Sequence, residues 1–166
     1  MVYGFSGTRH NLTPAQASAI NAILAGIGTG QTIAVGCCPT GLDAAVIHYM
    51  QQRAGVHLNQ FKAESRAPAA LRARTLALVR GCNTLIAFPA SPSFVRSGTW
   101  LAIFAAASMG IPTYVCLPGT PATTLPTCRG VVGWHTRTAT AVPGLSHVWG
   151  VSLCQAIISV VQITLL

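Results

Sequence analysis

Short apolar runs alternate along this chain with longer stretches in which apolar residues recur at helical spacing, a pattern that predicts βαβ units and a parallel sheet. Residues 2–5 read as a first strand. Thr13-Pro14-Ala15-Gln16 has the form of a capping box with proline at the first helical position. Behind it Ala17, Ile20, Leu24 and Ile27 repeat on one helical face, and Gly26, Gly28 and Gly30 end the helix. Residues 32–36 form the second strand, and Gly36-Cys37-Cys38-Pro39-Thr40-Gly41 turns into a helix over about 42–53. A third strand over 56–61 precedes a helix that Pro68 opens and that runs to about Arg80. A strongly apolar strand over 83–88, a nearly continuous apolar helix reaching Met109 and a fifth strand over 112–117 complete the series.

The runs IAVG and TLIAF lack the alternation of a half-exposed sheet, as strands buried on both faces do. Right-handed crossovers then put helices on both faces and gather the strand-to-helix loops along one edge. The expected fold is therefore α/β and Rossmann-like: a mostly parallel sheet of about five strands with helices on both faces, over residues 1–119. Residues 120–166 are expected to be a C-terminal appendage that packs on the domain or on a partner subunit. Its first part, 120–145, is rich in Thr, Pro and Gly, with 131–134 a candidate short strand; the last segment reads either as a strand and a helix or as two strands.

Charge changes this picture most. Asp43 and Glu64 are the only acidic side chains, against ten Lys and Arg, which leaves a formal net charge of +8 and a positive potential over nearly the whole surface. An anionic partner follows, with nucleotide, nucleic acid and anionic lipid all open at this point. A chain that is 51% hydrophobic and 7% charged excludes intrinsic disorder, and it places part of the apolar surface under another subunit, so a homo-oligomer is expected. No segment has the form of a signal peptide, and 151–166 is too short and too interrupted by Ser152, Gln155 and Gln162 to span a bilayer. The six cysteines, Cys37 and Cys38 adjacent among them, show no CxxC and no metal spacing with the five histidines. Reduced thiols, a cytoplasmic location, no metal and no cofactor are the expectations.

Four loops fall on the predicted edge. Ser6-Gly7-Thr8-Arg9 offers a close backbone approach, hydroxyl and amide donors and a bidentate arginine, all suited to phosphate; His10 lies beside it. The second loop holds Gly36, Cys37, Thr40, Gly41 and Asp43 and feeds a helix N-terminus, whose unpaired N–H groups draw anions. Asp43 there either complements the helix dipole or accepts hydrogen bonds from a ribose. The third follows Glu64 and Arg66 and carries Arg72 and Arg74, of which Arg74 borders the apolar face near Leu71 and Leu78. The fourth is Ser97-Gly98-Thr99, again a helix start, at the end of the loop that also contains Pro89.

Taken in this order, these residues resemble the SLOG superfamily of Rossmannoid domains, which includes the DNA-processing A recombination mediators, the cytokinin-activating phosphoribohydrolases and small stand-alone bacterial and phage domains. The resemblance spans Tyr3 to Gly119 and is closest to the stand-alone members. It rests on a GSR-like turn (Ser6, Gly7, Thr8, Arg9), a GGAxGxD-like turn (Gly36, Cys37, Gly41, Asp43), an arginine helix leading to an IAFP strand (Arg74, Pro89) and an SGT helix start (Ser97, Gly98, Thr99). It implies sensing or sequestration of a nucleotide or nucleotide-derived signalling molecule, in antiphage defence or its evasion. The phosphoribohydrolases carry PGGxGTxxE, whose glutamate serves cleavage of the N-glycosidic bond. Here Trp100, Leu101 and Ala102 follow Gly98-Thr99 and no acid lies beyond Glu64, so binding without turnover is the leading expectation. The alternatives are an N-glycosidase using Asp43 or Glu64 and, third, binding of single-stranded DNA.

Overall fold

The first helix starts where the sequence sets it. In the computed structural model, which describes residues 1–93, 95–117, 131–136 and 151–156, the Thr13 hydroxyl accepts from the Gln16 N–H and the Gln16 side chain accepts from the Thr13 N–H. Helix α1 (Pro14–Gly26) then buries Ala19, Ile20, Ile23 and Leu24 at helical spacing. The remaining elements follow in alternation. Strands β1 (Val2–Gly7), β2 (Thr32–Gly36), β3 (His57–Phe61), β4 (Thr84–Phe88) and β5 (Thr113–Cys116) are separated by α1, α2 (Gly41–Gln51), α3 (Pro68–Arg80) and α4 (Gly98–Ser108).

These five strands are all parallel and lie in the order β3-β2-β1-β4-β5. The strand segments called apolar from the sequence are buried throughout, because each face of the sheet has its own helical layer. Ile86 and Phe88 of β4 pack with Phe5, Ile33 and Val35 against α1 and α2. Their neighbours Leu85 and Ala87 face Val79 of α3 and Ala102, Ile103, Ala106 and Ala107 of α4. Alanines let α4 lie close to the sheet, and each large buried side chain in these layers stabilises the fold by roughly 1.5–3 kcal/mol. Strand β3 is the exception: it lies at the edge, and His57, Asn59 and Gln60 of its five residues are exposed.

The sheet does not stop at β5. Strands β6 (Val131–Thr136) and β7 (Val151–Ala156) continue it in antiparallel sense, with β7 hydrogen-bonded along β5 from Thr113↔Cys154 to Cys116↔Val151 and β6 outside β7. Among the described residues the sheet thus has seven strands, and the two described strands within 120–166 belong to it. A returning strand satisfies the open N–H and C=O groups of the β5 edge. Residues 157–166, for which a strand and a helix were the alternatives, lie outside the described residues, as does most of 120–150. Among the described residues no helix is long and apolar enough to cross a membrane.

Candidate functional site

The strand order turns back between β1 and β4, so the connections leaving their carboxyl ends run to opposite sides of the sheet and open a crevice. A cavity of about 750 Å³ occupies that point and extends between α3 and α4, a volume in the range of small-molecule sites. The first loop forms one lip, with Ser6, Gly7, Thr8, Arg9 and the adjacent His10 all lining the cavity.

Thr8 holds this lip in place. Its N–H donates to Phe88 O at the end of β4 (3.0 Å), and its carbonyl accepts from Leu42 N–H in the first turn of α2 (3.0 Å). Its hydroxyl accepts from His10 N–H (3.0 Å), and the residue is buried. The amide of Thr8 and the first-turn amide of Leu42 are therefore committed within the protein, although sequence reasoning offered both loops as anion donors.

The second loop divides. Gly36 and Asp43 line the cavity with Cys38; Cys37, Thr40 and Gly41 do not. Thr40 Oγ1 donates to Arg9 O (2.8 Å), and the Cys37 thiol donates to Gln60 Oε1 (3.5 Å), toward the outer strand. Gly41 has φ +69°, and a methyl there would strike the Thr8 carbonyl and the Arg9 backbone. Gly41 is glycine so that α2 can dock on the first loop, and it leaves no approach for a phosphate.

Asp43 and Arg74 meet beneath the two loops. Arg74 Nη1 donates to Asp43 Oδ2 (3.4 Å), and the same oxygen accepts from Cys38 N–H (3.0 Å). The side chains are 14% and 10% exposed, and a methyl on Gly36 would overlap both of them. Gly36 thus makes room for the ion pair. Asp43 neutralises Arg74 and caps the turn, while Arg74 Nε has no hydrogen-bond partner among the described residues. Glu64 is exposed and does not line the cavity.

The fourth loop closes the far side. Ser97, Gly98 and Thr99 line the cavity, and the Ser97 hydroxyl caps α4 by accepting from Trp100 N–H (3.3 Å). A Cβ on Gly98 would meet nothing within 4 Å, so here backbone borders open space. Pro89 does not line the cavity; its carbonyl accepts from the buried Gln16 side chain (3.0 Å) and ties the end of β4 to α1.

Sequence reasoning did not anticipate the segment between Pro89 and Ser97. Ser91, Ser93, Val95 and Arg96 line the cavity, and Ser91 O accepts from the indole N–H of Trp100 (3.0 Å), which is almost wholly buried. A buried indole needs such a partner, which was the one available signal. Arg96 has φ +54°, a left-handed conformation that costs a non-glycine residue about 1–2 kcal/mol. With Arg9, Arg72 and Arg74 it brings the cavity to four arginines against one carboxylate, and Arg74 is the one of the four with an ion-pair partner among the described residues. Arg72 is exposed at the rim where Arg74 is sunk beneath it, so both members of the Arg72/Arg74 pair line the cavity. Among the described residues no group of His, Cys, Asp and Glu is placed to hold a metal ion. No protein-family model matches the chain, and no curated protein matches it.

Proposed function

We propose that this chain is a SLOG-like domain that holds a nucleotide or nucleotide-derived phosphate ligand in the crevice between β1 and β4, to sense or sequester it. One observation carries the reading. Arg9, Arg72 and Arg96 surround a cavity of about 750 Å³ into which the Gly98 end of α4 and the Thr8 lip also open, and the single carboxylate there is already engaged. Cations and hydroxyls from the first loop, from α3 and from the segment leading into α4 meet at a switch point and favour a multiply charged anion. Holding is favoured over turnover because N-glycosidic cleavage wants a carboxylate at liberty to move a proton. Asp43 is bound to Arg74 and to the Cys38 amide, and Glu64 lies away from the cavity.

Calorimetric titration with nucleoside mono- and diphosphates and with inorganic pyrophosphate tests this. Binding is expected, and the double variant Arg72→Gln/Arg96→Gln should weaken it by about 10–100-fold, the scale of lost charge-assisted hydrogen bonds. Ligand released by heat should be chemically unchanged. Silence across the whole panel would reject the site, and free base appearing at catalytic rates would replace sequestration by glycosidic cleavage.

A further inference from the structure

Arg96 is the one non-glycine residue with a positive φ among the described residues, at +54°. Glycine takes that conformation freely, and asparagine and aspartate take it with a short polar side chain that can bond to the nearby backbone; arginine has neither advantage. Nor does the fold use the guanidinium in another way. Among the described residues it has no ion-pair or hydrogen-bond partner, and the residue is exposed where it lines the cavity. Trp100, almost wholly buried, holds the segment on both sides of it. The indole N–H donates to Ser91 O (3.0 Å), and the Trp100 backbone N–H donates to the Ser97 hydroxyl (3.3 Å). Strained residues persist where their surroundings impose the conformation, and they gather at ligand sites. An arginine held so, beside a cavity and idle within the protein, has its use in what the cavity binds.

Charge indicates which ligand that is. Four arginines against one carboxylate leave the lining with three positive charges, counting His10 as neutral. A phosphate monoester carries about 1.5–2 negative charges near neutral pH, and a terminal diphosphate, with one more ionised group, carries about three. Without Arg96 the lining would match a monophosphate; with it the lining matches a diphosphate. Placement agrees with the count. Arg9 stands on the lip that follows β1, whereas Arg96 stands at the far side, on the segment leading into α4 and beside the open backbone at Gly98. Resting on the nucleotide reading above, we propose that Arg96 is a specificity-determining residue that grips a second phosphate, so that the site selects ligands bearing a diphosphate over monophosphates.

The test titrates the full chain with adenosine 5′-monophosphate, adenosine 5′-diphosphate and inorganic pyrophosphate, as wild type and as Arg96→Asn and Arg96→Lys, with Tm read on the same preparations. The wild type is expected to bind the diphosphate and pyrophosphate at least about tenfold more tightly than the monophosphate, the worth of one charge-assisted hydrogen bond. Arg96→Asn suits the left-handed backbone and removes the cation. It should weaken both diphosphate compounds about tenfold, leave the monophosphate within about threefold, and raise Tm by about 2–4 °C. Arg96→Lys keeps both the charge and the strain, so it should keep most of the preference and the wild-type Tm. Equal binding of monophosphate and diphosphate by the wild type overturns the inference, as does a preference that survives in Arg96→Asn. A loss in Arg96→Asn that is the same for all three compounds, or that spares pyrophosphate, overturns it too, since neither is the loss of a contact to a second phosphate. An unchanged or lower Tm in Arg96→Asn overturns the premise that the fold has no use for the side chain. In each of these results the monophosphate still binds, and the nucleotide reading stands. If none of the three compounds binds, that reading fails, and this one with it.

Discussion

Replacing Asp43 by Asn separates two roles that a lone carboxylate could have in this cavity. The substitution keeps an oxygen that can accept from the Cys38 N–H but removes the charge facing Arg74. At 3.4 Å the gross attraction is about 5 kcal/mol for an effective dielectric of about 20, and most of it is offset by the desolvation of the two ions. The cost of the variant therefore comes from the guanidinium it strands, whose side chain is only 14% exposed. Fully buried pairs lose about 3–5 kcal/mol when one partner goes; Arg74 lines the cavity and can turn toward its water, so about 2–3 kcal/mol is expected. For a chain of 166 residues that is a fall in Tm of about 5–10 °C. The same change releases a cation into the cavity, so affinity for pyrophosphate should rise by about tenfold, the worth of one charge-assisted hydrogen bond. Thermal denaturation and calorimetry on the same preparation read the two effects, which have opposite signs. A variant that loses both stability and ligand would identify Asp43 as a direct ligand contact and refute the reasoning from Arg74. An unchanged Tm would refute the pair.

Three further outcomes follow from the packing. Gly41→Ala must take a left-handed φ and press on the Thr8 and Arg9 backbone, so urea unfolding should show a loss of about 2–4 kcal/mol; a neutral result would deny the docking of α2 on the first loop. Burial pushes the Cys82 thiol up from 9.0 to about 11, so the folded state keeps it protonated. That contribution to stability is complete below pH 9 and is lost as pH rises through about 11. Stability should thus fall across this window, and less so in Cys82→Ala. Burial also raises the Cys116 thiol, so iodoacetamide at pH 8 should mark the partly exposed Cys37 and Cys38 well before Cys82 and Cys116, as peptide mapping would show. Equal labelling of all four would contradict the burial.

The elements of the fold were legible because each declares itself locally. Thr13, Pro14 and Gln16 announce a helix start, and IAVG and TLIAF announce buried strands, without reference to anything distant. The site was legible only in part, because contact across the sheet leaves no mark in local spacing. Asp43 looked like a group for ribose or a helix dipole, since nothing near it in the chain points to Arg74, 31 residues away. Gly41 has the turn glycine of a phosphate cradle, yet its neighbour in space is the first loop. Pro89 and Cys37 were carried by motif likeness, but one faces Gln16 and the other Gln60. Arg96 went unremarked because a left-handed arginine in a serine-rich loop has no sequence signature. Strands at 131–134 and in the last segment were among the sequence expectations, but their place was hidden: β7 pairs with the free edge of β5 and β6 with β7, and an edge is a property of the finished sheet.

The fastening of Thr8 has a mechanical consequence. Main-chain bonds on either side bolt this residue to the end of β4 and to the start of α2, and its hydroxyl braces the turn that follows. The crevice therefore resembles a vice with one jaw fixed to the bench. Whatever adjustment a guest of unusual size demands must be taken up by the opposite jaw, where Ser97 and Trp100 begin α4, and compounds differing in bulk should all register against the same Thr8 wall.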